Sequence, residues 1–267
     1  MPQLKASTLT RVSVGELGGV TVSGDPSAAS ASCLSGASGA SWSPESGLVA
    51  GGACPDLVTL SWESNGATLS ADVDLVATHY CELDDVRAYR ETAYGLSEAS
   101  DAAVFAARAM AEDVIERECH RFFVPVLREA VVERTNCSAA RYPVVMGGWS
   151  HDIRRVVSAG YVGGGEAPVT PGLTGETVDV SRVRQGAPVR AVLELGAPAI
   201  PAEIRDATIA LAAWYMLPKA GPDNAISEST EAGVMRYVVG GVAGAATSLP
   251  AVNAAIERHG AREWNVR

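Results

Sequence analysis

Aromatic residues are scarce in this chain: they make up 6% of its 267 residues, and only three are phenylalanine. A core with so few rings must be filled by small aliphatic side chains, and the 47% hydrophobic content supplies them. Positive charge is short as well. The 21 Lys and Arg against 31 Asp and Glu leave a formal net charge of −10 and a pI near 4.9. That balance excludes bulk electrostatic capture of DNA or anionic membranes, which needs clustered cations. It does not exclude a surface past which DNA slides without sticking. No run of about 18 apolar residues occurs, so no transmembrane helix is expected. The stretch from Met1 to Gly19 lacks the continuous apolar centre of a signal peptide, and the chain reads as one made and folded in a cytoplasm. The five cysteines, Cys33, Cys54, Cys81, Cys119 and Cys137, contain no CxxC pair, and their count is odd. They fit neither a zinc site nor a disulfide framework and are expected to be reduced, mostly buried thiols.

Catalytic patterns are missing too. His79, His120, His151 and His259 are scattered. His151 beside Asp152 has the makings of an oriented base, but no Ser or Cys motif accompanies it. Gly160 to Gly165 lacks the Lys-Ser/Thr of a phosphate loop and precedes no helical pattern. Asp84 and Asp85 suit the first turn of a helix, where adjacent side chains point apart and make a poor acid/base pair. Glu228 and Glu231 around Thr230 read as a solvated acidic loop. No catalytic residue, metal site or cofactor is expected, and the chain does not read as an enzyme.

What the chain does have is helix. From Asp101 to Pro125, Val104, Ala107, Ala111, Val114 with Ile115, Glu118 or Cys119, and Phe122 recur at steps of three and four. This is the helical period, with one apolar stripe. Arg108, Glu112, Asp113, Glu116 and Arg117 are expected on the opposite, solvent side. Ser97 or Ser100 suits the cap, and Pro125 cannot continue the helix. A second helix is expected from Pro201 to Leu217, with Ile204, Thr208, Leu211 and Tyr215 on its stripe. A short helix from Pro250 turns Val252, Ala255 and Ile256 inward and closes at Gly260. Another opens near Leu83 and closes at Gly95. Val104, Val114, Ile115, Phe122, Leu211 and Tyr215 are therefore the expected helix-packing positions.

Residues 1–78 differ. Val12-Ser13-Val14, Gly19 to Val22, Leu57 to Trp62 and Thr68 to Val76 alternate apolar and polar residues between turn signals such as Ser64-Asn65-Gly66. A small β-sandwich is expected there. Short β-like runs recur between Val126 and Leu195. The fold class is thus α+β, with a β-sandwich-like domain over 1–78 and a helical domain with inserted short strands over 79–267. Between the last two helices, Ile226, Val234, Met235, Tyr237, Val238, Val239 and Val242 are apolar without helical spacing. They are expected to extend as an arm or hairpin onto a neighbouring subunit or partner.

Four stretches carry a resemblance: Tyr80-Cys81-Glu82-Leu83-Asp84-Asp85-Val86-Arg87-Ala88-Tyr89, Cys119-His120-Arg121-Phe122-Phe123-Val124-Pro125, Ser227 to Tyr237 (SESTEAGVMRY) and Leu249 to Gly260 (LPAVNAAIERHG). In their order and spacing the chain resembles the head-to-tail adaptor (connector) proteins of long-tailed bacteriophages, especially those of actinobacterial hosts. The resemblance covers about 80 to 267. It implies a homo-oligomeric, dodecameric ring in the virion neck, docked on the portal protein and meeting a stopper or tail-terminator protein. DNA would pass through its channel without specific binding, and no membrane is involved. The N-terminal part departs from the minimal family and resembles the small immunoglobulin-like modules of some phage proteins. Two other readings compete with a structural adaptor. One is a surface- or carbohydrate-binding module carried by the N-terminal domain. The other is a hydrolase using His151 and Asp152.

Overall fold

The computed structural model describes residues 10–13, 27–37, 39–43, 47–49, 54–64, 66–134, 141–143, 152–172, 175–217, 227–230, 233–236 and 246–261. Helices and sheets both contribute, and the class is α+β. The chain divides into two compact units, residues 1–79 with 121–199 and residues 80–120 with 200–267. The sequence pattern divides it once, between 78 and 79. The structure groups the residues after the long helix with the N-terminal strands.

In the first unit, β1 (Thr10–Ser13), β2 (Ser27–Cys33), β3 (Ser41–Ser43), β4 (Gly47–Val49), β5 (Asp56–Ser64) and β6 (Ala67–Val76) come first. Four of them form a sheet in the order β1-β6-β5-β2, with β1 parallel to β6 and the other pairs antiparallel. Strands β3 and β4 form a separate hairpin. Alternation decides which side chains go in. Val58 pairs with Val73 and Leu60 with Ala71, and Val58, Leu60, Val73 and Leu75 are buried on that face. Asp56 is buried with them because it accepts bonds from the Ser35 amide at 2.9 Å, the Ser35 hydroxyl at 2.7 Å and the Leu57 amide at 2.8 Å. Asp74 points to the other face. Its carboxylate takes two bonds from Arg128, at 2.6 and 2.9 Å, and lies 3.7 Å from the guanidinium of Arg11, its register partner on β1.

The same unit continues with β7 (Val126–Glu133), β8 (Arg141–Pro143), β9 (Ile153–Tyr161), β10 (Thr170–Pro171), β11 (Thr177–Asp179) and β12 (Pro188–Leu195). These make two antiparallel sheets, in the orders β7-β12-β9 and β10-β11-β8. At the end of the β7–β12 ladder, where Val126 faces Leu195, the chain before β7 is the corner Phe122 to Pro125. Ala197 donates to the Phe122 carbonyl at 3.0 Å, which ties the two ends together. Gly196 lies in that tie with φ +129°, and a Cβ there would meet the Val124 carbonyl oxygen at 2.3 Å. Gly196→Ala is expected to cost about 1–3 kcal/mol through backbone strain, read as a lowered urea midpoint. An unchanged midpoint would mean the corner is looser than it stands here.

The second unit holds α1 (Leu83–Ala88), α2 (Glu91–Tyr94), α3 (Asp101–Cys119), α4 (Ala202–Met216), the hairpin β13 (Ser227–Thr230) and β14 (Gly233–Arg236), and α5 (Pro250–His259). The caps follow the local sequence. Ser100 accepts from the Ala103 amide at the start of α3, and Glu82 with Asp85 makes a capping box on α1. Pro201 is the N-cap of α4, and Pro250 opens α5. The long helix stops sooner than its apolar period suggests. His120 takes a left-handed conformation (φ 52°), so α3 ends at Cys119 and Phe122 lies beyond it. Phe122 is buried all the same, with the Arg128 guanidinium 4.7 Å from its ring centre.

Candidate functional site

The helical unit carries most of the positions singled out in the sequence. Val104, Ile115 and Leu211 are fully buried, together with Ile204, Thr208 and Val252. Val114 and Tyr215 are only half-buried. Burial still pushes the Tyr215 hydroxyl above its ordinary pKa. Of the expected interface residues, Val234 and Met235 lie on β14, paired with Ser229 and Glu228 of β13. Ile226, Tyr237, Val238, Val239 and Val242 lie outside the described residues, as does His151. Asp152 is described, and it takes a two-pronged bond from Arg121 at 2.7 and 2.8 Å. Its carboxylate is thus engaged by an arginine.

One expectation is reversed. Arg108, Glu112 and Glu116, placed by polarity on the solvent side of α3, are buried at 1%, 2% and 6% exposure. They stand one turn apart on one face and have partners in the segment just before α1. The Tyr80 amide donates to Glu112 at 2.8 Å, and the Tyr80 hydroxyl donates to Glu116. Arg108 donates to the Cys81 carbonyl at 3.2 Å. Charge that is buried but bonded costs far less than charge buried alone, and this is why the line can face inward. The consequence lies on the other side of the helix. Ala102, Ala103, Ala106 and Met110 are exposed, Met110 by 52%. Helix α3 therefore turns an apolar face outward. Its sequence contains the signal, since Arg108, Glu112 and Glu116 are spaced i, i+4, i+8. Nothing in the spacing says which way that line points.

Ion pairs hold the helices of this unit to one another. Arg205 on α4 donates to both oxygens of Asp85 on α1, at 2.9 and 2.8 Å, and this bond holds the Asp85 carboxyl below its usual range. Glu203 on α4 accepts from Arg258 and lies 2.8 Å from the ring of His259, both on α5. The His259 bond, more than the Arg258 charge, lowers the Glu203 carboxyl. These pairs are exposed and salt-screened, so they fix angles more than they add stability. Beside them lies a hollow of about 560 Å³ between α4 and α5, lined by Ala207, Ala210, Ala254 and Ala255 together with Ile209 and with Tyr89 from the end of α1. Its rim carries Glu203, Asp206 and Arg258.

Among the described residues no group of three or more His, Cys, Asp or Glu side chains is placed to hold a metal ion. Four cysteines are described, all as free thiols. Burial and the nearby Glu112 charge push Cys81 up to about 12, while Cys33 and Cys54 are half-exposed. Maleimide labelling of the folded protein at neutral pH should therefore modify Cys33 and Cys54 well before Cys81, with peptide mapping as the readout. Early labelling of Cys81 would show that the start of α1 opens readily.

No protein-family model matches this chain, and no curated protein matches it in sequence.

Proposed function

We propose that the chain is a structural adaptor of a long-tailed bacteriophage virion. In this reading it is a ring subunit of the neck that joins the portal of the head to the tail or its stopper. The ring leaves a channel through which DNA passes. The observation that carries the reading is the placement of the family-like stretches. The first falls on α1, the third on the β13–β14 hairpin and the fourth on α5, all in the unit built around α3, while the second begins at the last residue of α3 and runs on into the corner before β7. The exposed apolar stretch of α3 at Ala102, Ala103, Ala106 and Met110 supports it. A monomer has little use for such a face, whereas a subunit in a ring covers it. The net charge of −10 suits a channel that must not grip DNA. In this reading residues 79–267 form the adaptor domain, and residues 1–78 form an immunoglobulin-like accessory module.

The test is electron microscopy of the purified chain and of particles that contain it. A ring with a central channel at the head–tail junction is expected. Particles whose neck lacks the chain would overturn the reading.

A further inference from the structure

The helical unit has two apolar surfaces of opposite shape. On α3, Met110 projects between exposed Ala106 one turn before it and half-buried Val114 one turn after. Arg108 and Glu112, which would ordinarily cover such a ridge with charge, are turned inward. Between α4 and α5 lies the hollow of about 560 Å³ with alanines in its lining. Alanines on both sides let two helices approach closely, and a flexible methionine fills an irregular gap well.

Each surface has beside it one exposed charge of opposite sign to the other's, Arg117 next to Asp113 and Glu118 on the ridge, and Asp206 next to the paired Glu203 and Arg258 on the hollow. Arg117 follows Val114 along the ridge with its side chain 57% exposed. Its contacts to Asp113 and Glu118 are both 3.4 Å long, which leaves donors of its guanidinium unused. Asp206, on the rim of the hollow, is exposed and makes no ion pair among the described residues.

We propose that the α3 ridge of one copy seats in the α4–α5 hollow of the next copy, with Met110 over the lining alanines and Arg117 against Asp206. Ridge and hollow are different surfaces, so the contact is heterologous. Each copy offers one of each, and successive copies either close into a ring or continue as a filament. This inference rests on the ring reading and names its joint.

Sedimentation velocity on the full chain tests it, with Met110→Glu to spoil the ridge and Ala254→Trp to fill the hollow. Both positions are exposed, so the fold should survive, and circular dichroism checks that it does. Wild type is expected to associate, and each variant alone to associate about tenfold more weakly or worse. Mixed together, the two variants should give one-to-one dimers and nothing larger, because each pair keeps one sound ridge and one sound hollow. Arg117→Glu should weaken association, and adding Asp206→Arg in the same chain should restore it. If the single variants assemble like wild type, the joint is elsewhere and the ring reading survives. A mixture that stays monomeric likewise overturns the joint. A wild type that never associates, together with particle images lacking a ring, overturns both.

Discussion

Asp74→Ala should destabilise the first unit by about 3–5 kcal/mol, seen as a large drop in the urea midpoint followed by far-UV circular dichroism. Asp74 is 2% exposed, and the two arginines facing it, Arg11 and Arg128, have side chains only 6% and 12% exposed. The Arg128–Asp74 pair is two-pronged at 2.6 and 2.9 Å, the geometry in which a guanidinium and a carboxylate bind most strongly. Alanine would leave two guanidinium groups facing an empty space that water enters poorly. Most of the loss is therefore the cost of uncompensated charge, and little of it is lost packing. The double variant Asp74→Leu with Arg128→Met separates these contributions. It removes both members of the closest pair at similar volume and should recover much of the loss. A cost below about 1 kcal/mol for Asp74→Ala would mean that solvent reaches the site and screens it.

The sequence announces its helices by their starts and misleads about one end. Ser100, Pro201 and Pro250 sit where local chemistry favours a first turn, and α3, α4 and α5 begin there. The apolar period runs on through Phe122, but the backbone turns left-handed at His120, a conformation that no spacing of apolar residues encodes. The division into units was hidden for a different reason. Strand β12 pairs with β7 about sixty residues earlier in the chain, in register from Val189 opposite Val132 to Leu195 opposite Val126. No pattern within either strand names its partner. The inward line of α3 was hidden because polarity is read one residue at a time. Arg108, Glu112 and Glu116 look solvated until Tyr80 and Cys81 are brought against them. The hollow between α4 and α5 arises from alanines, and alanines carry the least directional signal of all.

Arg108→Ala decides how α3 is turned. The side chain is 1% exposed, donates to the Cys81 carbonyl and sits with its guanidinium carbon 5.4 Å from the centre of the Phe105 ring. Removing it takes a cation from a site that holds the buried carboxylates of Glu112 and Glu116, and the cost should be about 3–5 kcal/mol. Tyr80→Phe acts on the same line and should cost less, about 1–3 kcal/mol, because it withdraws one hydroxyl donor from Glu116 and leaves the volume filled. Arg117→Ala is the control. It lies on the same helix, but its side chain is 57% exposed and its ion pairs are loose, so the change in monomer stability should stay within about 0.5 kcal/mol. The ordering Arg108 above Tyr80 above Arg117 is the signature of a helix whose charged line faces inward. If Arg108→Ala and Arg117→Ala cost the same, the charged line faces solvent. Met110 would then belong to the core, and the ridge proposed as a subunit joint would not exist.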